Sequence, residues 1–360
     1  MARANLFGMG RDALATLASE LNEPAYRAGQ LYSWLYRKRV RDTAAMTDLG
    51  KPLRAKLAGW AELRWPTVAD RERSRDGTVK YLFRLDDDAT IESVYIPEAR
   101  RKTICISTQA GCPLKCAFCL TGIAGYKRNL EAWEILGQVA TVMSEAPELD
   151  PDPSERPRSW NVVVMGMGEP LLNYDATVAV LRILLDPDGF AIAAKKLTLS
   201  TVGILPALEK LMREPVRPNL AISLHAPNPA LRRELMPIEG KYALADVVEA
   251  ARRYPIPCGG VVTYEYVLLR GVNDAPTQAR ELARLLGGSR AKVNLIPLNP
   301  AAEIPFAAPS AEAVDAFCGV LAAAGLVVSV RRPRGQDILA ACGQLHLRKG
   351  RASVPLTAVR

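Results

Sequence analysis

Hydrophobic positions change period along the chain. Residues 12–20 are rich in leucine and alanine, and residues 25–39 place Leu31, Trp34 and Leu35 at helical spacing. Residues 1–65 therefore read as a small N-terminal helical accessory domain. Between Val79 and Thr108 the pattern shortens to β-rich runs, VKYLFRL, IESVYIP and TICIST, separated by polar or proline-containing turns, so residues 66–100 read as a β-rich connector. From TICIS onward strands alternate with helices. The strands fall near TICIS, WNVVVMG, KLTLST, NLAISLH, VVTYEYVLL and KVNLIPL, with helical segments near 131–145, 173–185, 204–213, 243–253 and 276–287. Repeated β-then-α predicts a parallel sheet of about six units over residues 101–335, wound as an open sheet or an incomplete barrel. In both cases the active site belongs at the carboxyl ends of the strands. A helix at 311–324 leads into a strand, LVVSVRR, and a basic, glycine-containing segment closes the chain over residues 336–360. The proline-rich, charged stretch at 145–159, EAPELDPDPSERPRS, reads as a surface loop.

Composition narrows the class. Over 360 residues, 49% hydrophobic and 24% charged describes a globular protein and excludes disorder. No run of about 18 apolar residues occurs, and the start lacks a basic region followed by a long apolar core, so a cytoplasmic location without membrane contact is expected. The net charge of +9 favours a polyanionic partner. That excess is concentrated at the front, where residues 1–60 hold ten basic side chains against five acidic. Arg37, Lys38 and Arg39 close the second helical segment, either as a C-terminal cap or as a phosphate-contacting surface.

The seven cysteines are an odd number in a chain with no secretory signal, which argues against a disulfide framework. Cys112, Cys116 and Cys119 stand in GCPLKCAFCLTG, a CxxxCxxC spacing directly after a predicted strand. Three thiolates in one tight loop make a soft-metal site. Structural zinc wants four closed ligands, and neither His225 nor His346 lies nearby in sequence. An iron–sulfur cluster fits better: three cysteines on a four-iron cubane leave one iron open to a small molecule. CxxxCxxC after the first strand of a βα series resembles the radical S-adenosylmethionine arrangement.

Later strand ends add polar groups. GMGEP at 166–170 resembles the glycine-rich strand end that holds the methionine amino group in that superfamily; as a dinucleotide fingerprint it lacks the third glycine. Ser200, Ser223 with His225, and Asn299 recur at the ends of later strands, where they point into a common site or cap the following helix. A lone cysteine in an apolar strand, Cys105, reads as inert core, whereas Cys342 beside a glycine in a basic loop reads as a potential thiolate.

GCPLKCAFCLTG, YKRNL, VVVMGMGEPLLN, LTLSTVG, LAISLHAPN, NLIPLNP, RGQDILAACGQL and YRAGQLYSWLY together resemble the RlmN/Cfr family of radical S-adenosylmethionine RNA methyltransferases, over residues 17–345. The long helical front resembles the RlmN side of that family more than the shorter-fronted Cfr. The resemblance implies an incomplete parallel (β/α) barrel of about six units. It also implies methylation of carbon 2 of an adenine in the peptidyl transferase centre of 23S ribosomal RNA, with the adenine 3′ of the anticodon in tRNAs as a further substrate. Carbon 2 is electrophilic, so polar methyl transfer fails there and radical chemistry is needed.

In family terms Cys112, Cys116 and Cys119 ligate a 4Fe-4S cluster, and two molecules of S-adenosylmethionine are used per turnover. Cys342 accepts a methyl group from the first as a nucleophile. The second yields a radical that takes hydrogen from the methylated sulfur, and the resulting carbon radical adds to adenine. Cys105 resolves the protein–RNA thioether, leaving a transient disulfide with Cys342 that must be reduced. Glu92 matches the proton acceptor. Gly168, Glu169, Ser200, Ser223, Leu224, His225 and Asn299 match S-adenosylmethionine-binding positions, Leu224 through its backbone. A flavodoxin-like electron donor and a monomeric state are also expected. Leu120 departs from the serine or alanine common after the third cysteine and changes no ligand. Cys258 and Cys318 match no family role, and Arg348, Lys349 and Arg351 in the tail read as solvated.

Three readings compete with carbon-2 methylation. A Cfr-type enzyme would act at carbon 8 with the same two cysteines. A zinc-holding RNA-binding module would have no need of Cys342 or GMGEP. A radical enzyme acting on a small metabolite would have no need of the basic front.

Overall fold

The computed structural model describes residues 3–99, 101–149, 159–256 and 260–345. Its front is helical: α1 (Arg11–Glu20), α2 (Tyr26–Tyr32), which runs on as a π-helical turn at Ser33–Arg37, and α3 (Lys51–Trp60). A short parallel pair, β1 (Ala4–Asn5) and β2 (Ala61–Glu62), closes this unit. Leu31, Trp34 and Leu35 are buried, as their spacing requires. Arg39 donates to the Arg37 carbonyl at 3.1 Å, so one member of the basic trio does cap the helix end. Lys38 lies 3.2 Å from the Trp34 ring centroid, and Arg37 and Lys38 remain exposed.

β3 (Thr67–Arg73), β4 (Val79–Arg84) and β5 (Thr90–Glu98) form an antiparallel meander that pairs with β6 (Arg101–Cys105). The stretch read as a connector is therefore part of the main sheet. Tyr81, Phe83, Ile91 and Tyr95 are fully buried there, which a surface link could not achieve. Next comes the cysteine loop, with β7 (Gln109–Gly111), α4 (Leu120–Ile123) and β8 (Tyr126–Asn129). α5 (Ala132–Leu149), β9 (Ser159–Val164), α6 (Tyr174–Leu185), β10 (Leu197–Thr201), α7 (Leu205–Met212), β11 (Asn219–Ser223), α8 (Pro229–Leu235), α9 (Leu244–Arg253), β12 (Val262–Leu268), α10 (Pro276–Leu286), β13 (Ala291–Pro297), α11 (Ala311–Ala323) and β14 (Val327–Val330) complete the alternation.

The sheet order is β14-β13-β12-β11-β10-β9-β6-β5-β4-β3, parallel from β6 to β14. Each parallel strand lies beside its predecessor, without the reversal of a doubly wound sheet, as in barrels. LVVSVRR supplies a seventh parallel strand where about six units were expected. α5 also departs from expectation: it runs to Leu149 across the start of the proline-rich stretch, because Ala146 still packs fully buried. The rest of that loop (150–158), Cys258 and the tail from residue 346 lie outside the described residues. Arg11 of α1 donates to Asp186, just beyond α6, at 2.7 and 2.8 Å, which anchors the helical front to the barrel.

Candidate active site

The carboxyl ends of the parallel strands surround a cleft. Cys112, Cys116 and Cys119 line it, together with Gly168, Glu169, Ser200, Ser223, His225, Asn299 and Cys342. Nine strand-end and loop positions selected from sequence thus share a wall with Cys342, which comes from the far end of the chain.

The cysteine loop is pinned at its root. Ser107 Oγ donates to the Glu92 carbonyl at 2.6 Å and accepts the Met167 N–H at 2.8 Å, while Gln138 bridges the Ser107 N–H and carbonyl. This knot explains the glycines of GMGEP. A Cβ on Gly166 would meet Ser107 Oγ at 2.6 Å, and one on Gly168, at φ +102°, would meet Gln109 Cβ at 2.5 Å. Further along, the Ala117 N–H donates to the Leu235 carbonyl and the Leu120 N–H to the Gly343 carbonyl. Burial pushes the Cys112 thiol up to about 12 and raises Cys116 well above the ordinary range, so these sulfurs become thiolates only against a cation. Among the described residues no three His, Cys, Asp or Glu side chains converge as they would on a single ion.

Glu169 is buried beside that loop. Its Oε1 accepts from Leu171 N and Thr201 Oγ1, and its Oε2 from Val202 N. Desolvation nevertheless pushes its carboxyl up to about 7. Three of about four acceptor positions are spent on the fold, which leaves one for a ligand amine. Ser200 and Ser223 hydroxyls lie 3.2 Å apart across β10 and β11. His225 stands edge-on to Phe118, with ring centroids 4.8 Å apart. The Leu224 side chain is fully buried behind the cleft, and its backbone N–H donates to the Glu265 carbonyl while its carbonyl accepts from the Ala226 N–H, which leaves that carbonyl one free lone pair.

Cys342 reaches the cleft on residues 335–345, which lie across the sheet's open end. Asp76 accepts from Gly335 N at 3.0 Å and Asp337 from Ser74 Oγ at 2.6 Å, on the β3–β4 hairpin. Gln336 Nε2 donates to Asn299 Oδ1 at 2.7 Å, Gln344 Nε2 to the Asn299 carbonyl at 3.2 Å, and Thr121 Oγ1 to the Leu345 carbonyl at 2.7 Å. Cys105 is a buried free thiol at the end of β6, pushed up to about 12 by burial and further by Cys342 nearby. Burial also raises the Cys342 thiol, against the opposing field of Arg331.

Glu92 does not line the cleft. It is 3% exposed on β5, an interior strand, and shares a sheet face with Val94, which sits opposite Cys105. A solvated edge position is thereby excluded for it. Cys318 lies half-buried on α11, away from the cleft wall.

Sequence reasoning missed Arg331 and Glu265. Both line the cleft. Glu265 Oε2 accepts from Asn294 Nδ2 at 2.8 Å, and Ser329 Oγ donates to Asn294 Oδ1 at 3.0 Å, a polar ladder across β12, β13 and β14. The available signal was a single charge inside an apolar strand, VTYEYVLL.

A sequentially wound parallel barrel with three loop cysteines at its carboxyl end defines the class of radical S-adenosylmethionine enzymes. The description "Radical SAM superfamily" matches residues 106–283, and "Ribosomal RNA large subunit methyltransferase N-terminal domain" matches residues 4–63. The chain is 44% identical over 353 residues to a probable dual-specificity RNA methyltransferase RlmN of Symbiobacterium thermophilum, covering 98% of this chain and 93% of the relative. It is 44% identical to the dual-specificity RNA methyltransferase RlmN of Rhodospirillum rubrum, covering 96% and 81%. A crystal structure of a radical SAM methyltransferase from Sphaerobacter thermophilus superposes with a TM-score of 0.88 at 43% identity, covering 95% of this chain and 99% of that one. The chain belongs to the RlmN family of radical S-adenosylmethionine RNA methyltransferases. Membership implies an iron–sulfur cluster and S-adenosylmethionine. Among the described residues no helix is long and apolar enough to cross a membrane.

Proposed function

We propose that this chain methylates carbon 2 of an adenine in 23S ribosomal RNA and of the adenine 3′ of the anticodon in tRNAs, using two molecules of S-adenosylmethionine per methyl group placed. The observation that carries this reading is the convergence of Cys342 with Cys112, Cys116 and Cys119 on one cleft, with Cys105 buried close by. An enzyme that only cleaved its cofactor would need the three loop cysteines alone.

Cys112, Cys116 and Cys119 would hold the 4Fe-4S cluster, and Glu169, Ser200, Ser223, His225 and Asn299 would hold S-adenosylmethionine, with Gly166 and Gly168 letting their strand end pack against Ser107 and Gln109. Bound there, the cluster and its cofactor would supply the one-electron chemistry that removes a hydrogen atom from the methyl carbon carried on the Cys342 sulfur. Cys342 carries the methyl group, and Arg331 favours its thiolate before methylation. The adduct radical would give up one electron to the cluster, Cys105 would then release the product by forming a disulfide with Cys342, and Glu92, on the same sheet face as the Val94 that sits opposite Cys105, would take the hydrogen of carbon 2 as a proton. The exposed Arg37 and Lys38 offer phosphate contacts. A flavodoxin-like protein donates electrons to the monomeric enzyme in the cytoplasm.

The test is nucleoside mass analysis of a 23S rRNA fragment and a tRNA after anaerobic incubation with reconstituted protein, S-adenosylmethionine and reductant. 2-Methyladenosine that disappears in Cys342→Ala supports the reading. 8-Methyladenosine assigns the Cfr-type reaction instead, and cofactor cleavage without a methylated base removes the RNA assignment.

A further inference from the structure

We propose that Lys80 and Glu72 carry the proton taken up by Glu92 out to solvent, as a relay across three adjacent strands. The proposal rests on the reading of Glu92 as the base. Once Glu92 has accepted a proton it is a neutral carboxylic acid, 3% exposed on an interior strand. The carboxylate has to be restored before another adenine can be deprotonated.

The geometry provides a path to the edge of the sheet. Lys80 Nζ lies 3.4 Å from Glu92 Oε1 and 2.9 Å from Glu72 Oε2. Lys80 is 8% exposed, whereas the Glu72 side chain is 43% exposed. Glu72 sits opposite Lys80 between β3 and β4, and Lys80 opposite Val94 between β4 and β5, so all three groups fall on one sheet face. β3 is the last strand of the sheet, and the row runs from its interior to that edge.

The transfers balance without any redox partner. The Lys80 ammonium gives one proton to the Glu72 carboxylate, and the freed amine lone pair accepts the proton of Glu92. One O–H bond breaks at Glu92 and one forms at Glu72, which then releases its proton to water. The triad returns to its starting charge of one negative. Lysine in the middle position presents three N–H donors on one nitrogen, enough to reach both carboxylates at once. Lys80 and Glu72 act through Glu92 and touch neither RNA nor cofactor, so they are positioning and relay residues.

The experiment is a rapid-quench time course with cluster-loaded enzyme, S-adenosylmethionine, a 23S rRNA fragment and excess reductant, so that reduction of the thiols does not limit later turnovers. The wild type is compared with Lys80→Met, Lys80→Arg and Glu92→Gln. In Lys80→Arg, which keeps a charge beside Glu92, later turnovers are expected to slow by about a hundredfold relative to the first, the scale of a lost proton-transfer path, whereas Lys80→Met, which leaves Glu92 buried without its cation, slows the first turnover as well and later ones further. Equal slowing of first and later turnovers assigns Lys80 a structural role and overturns the relay. Recovery of later turnovers in Lys80→Arg makes the charge sufficient and also overturns it. If Lys80→Met fails to fold, Lys80→Arg, which keeps the ion pair, decides alone. Loss of the first turnover in Glu92→Gln upholds the base on which the relay rests. A normal first turnover there removes the base, whatever the Lys80 variants do.

Discussion

Nδ1 of His225 accepts the backbone N–H of Val267 at 3.0 Å, and that bond leaves the imidazole proton on Nε2. Burial lowers its pKa to about 3, and the Arg232 charge acts in the same direction. His225 is therefore a fixed neutral donor and takes no part in acid–base catalysis near neutrality. Nitrogen NMR is expected to show a single Nε2-protonated tautomer with no titration between about pH 5 and 9. Unfolded chain binds the extra proton from about pH 6.5 downward, so the contribution of His225 to stability is complete above that value and declines as pH falls toward 3. His225→Asn, whose Oδ1 can still accept from Val267, should flatten that slope in thermal melts.

Glu169 has the opposite sign. Its folded pKa lies near 7, above the ordinary 4.5, so the native state binds more protons than the unfolded chain between those values. Its contribution is complete below about pH 4.5 and is lost as pH rises through 7. Glu169→Gln removes this dependence but turns an amide donor toward the Thr201 hydroxyl or the Val202 N–H, at a cost of about 1–3 kcal/mol. Urea melts of the cofactor-free protein across that window should show a lower and flatter profile for the variant.

The two glycines of GMGEP should be intolerant for different reasons. Gly166→Ala drives a methyl group into Ser107 Oγ and the Ile106 carbonyl, breaking the knot at the root of the cysteine loop. Gly168→Ala meets Gln109 and also strains the backbone at φ +102°. Each is expected to lower stability by about 1–3 kcal/mol and to weaken S-adenosylmethionine binding. Calorimetric melts and equilibrium binding check this, and near-wild-type values for both would mean that the close approach is not needed.

Cys105 and Cys342 should fail at different stages. Cys342→Ala is expected to give no product and no adduct, because the methyl carrier is gone. Cys105→Ala should stall after the sulfur–carbon–adenine link has formed, giving a protein–RNA species that survives denaturing electrophoresis. The absence of that species in Cys105→Ala, with product still released, would assign resolution to another group.

The strands of the barrel were legible because β-branched and aromatic runs such as VVVMG and LTLST are terminated by glycine or polar turns. The three-cysteine loop was legible through its spacing. Long-range consequences of pairing were not. Glu92 is a lone carboxylate in a strand, and only the placement of β5 between β4 and β6 makes it buried. Arg331 and Glu265 look like solvent-facing charges until β12, β13 and β14 pair and turn them toward the cleft. Residues 145–149 looked like loop because proline weakens a helix, and tertiary packing at Ala146 outweighs that preference.

The strap formed by residues 335–345 has a consequence for how the enzyme comes into being. Strands added in chain order can assemble as synthesis proceeds, and the cluster loop at 112–119 is made early. Cys342 arrives only when nearly all of the chain exists, and it is seated by contacts back to Ser74 and Asp76 near the beginning of the sheet. A chain interrupted before Cys342 thus carries the three-cysteine loop without the fourth cysteine of the cleft. On the proposed role of Cys342, competence to modify RNA is conferred late, by a tether from this strap back to the β3–β4 hairpin.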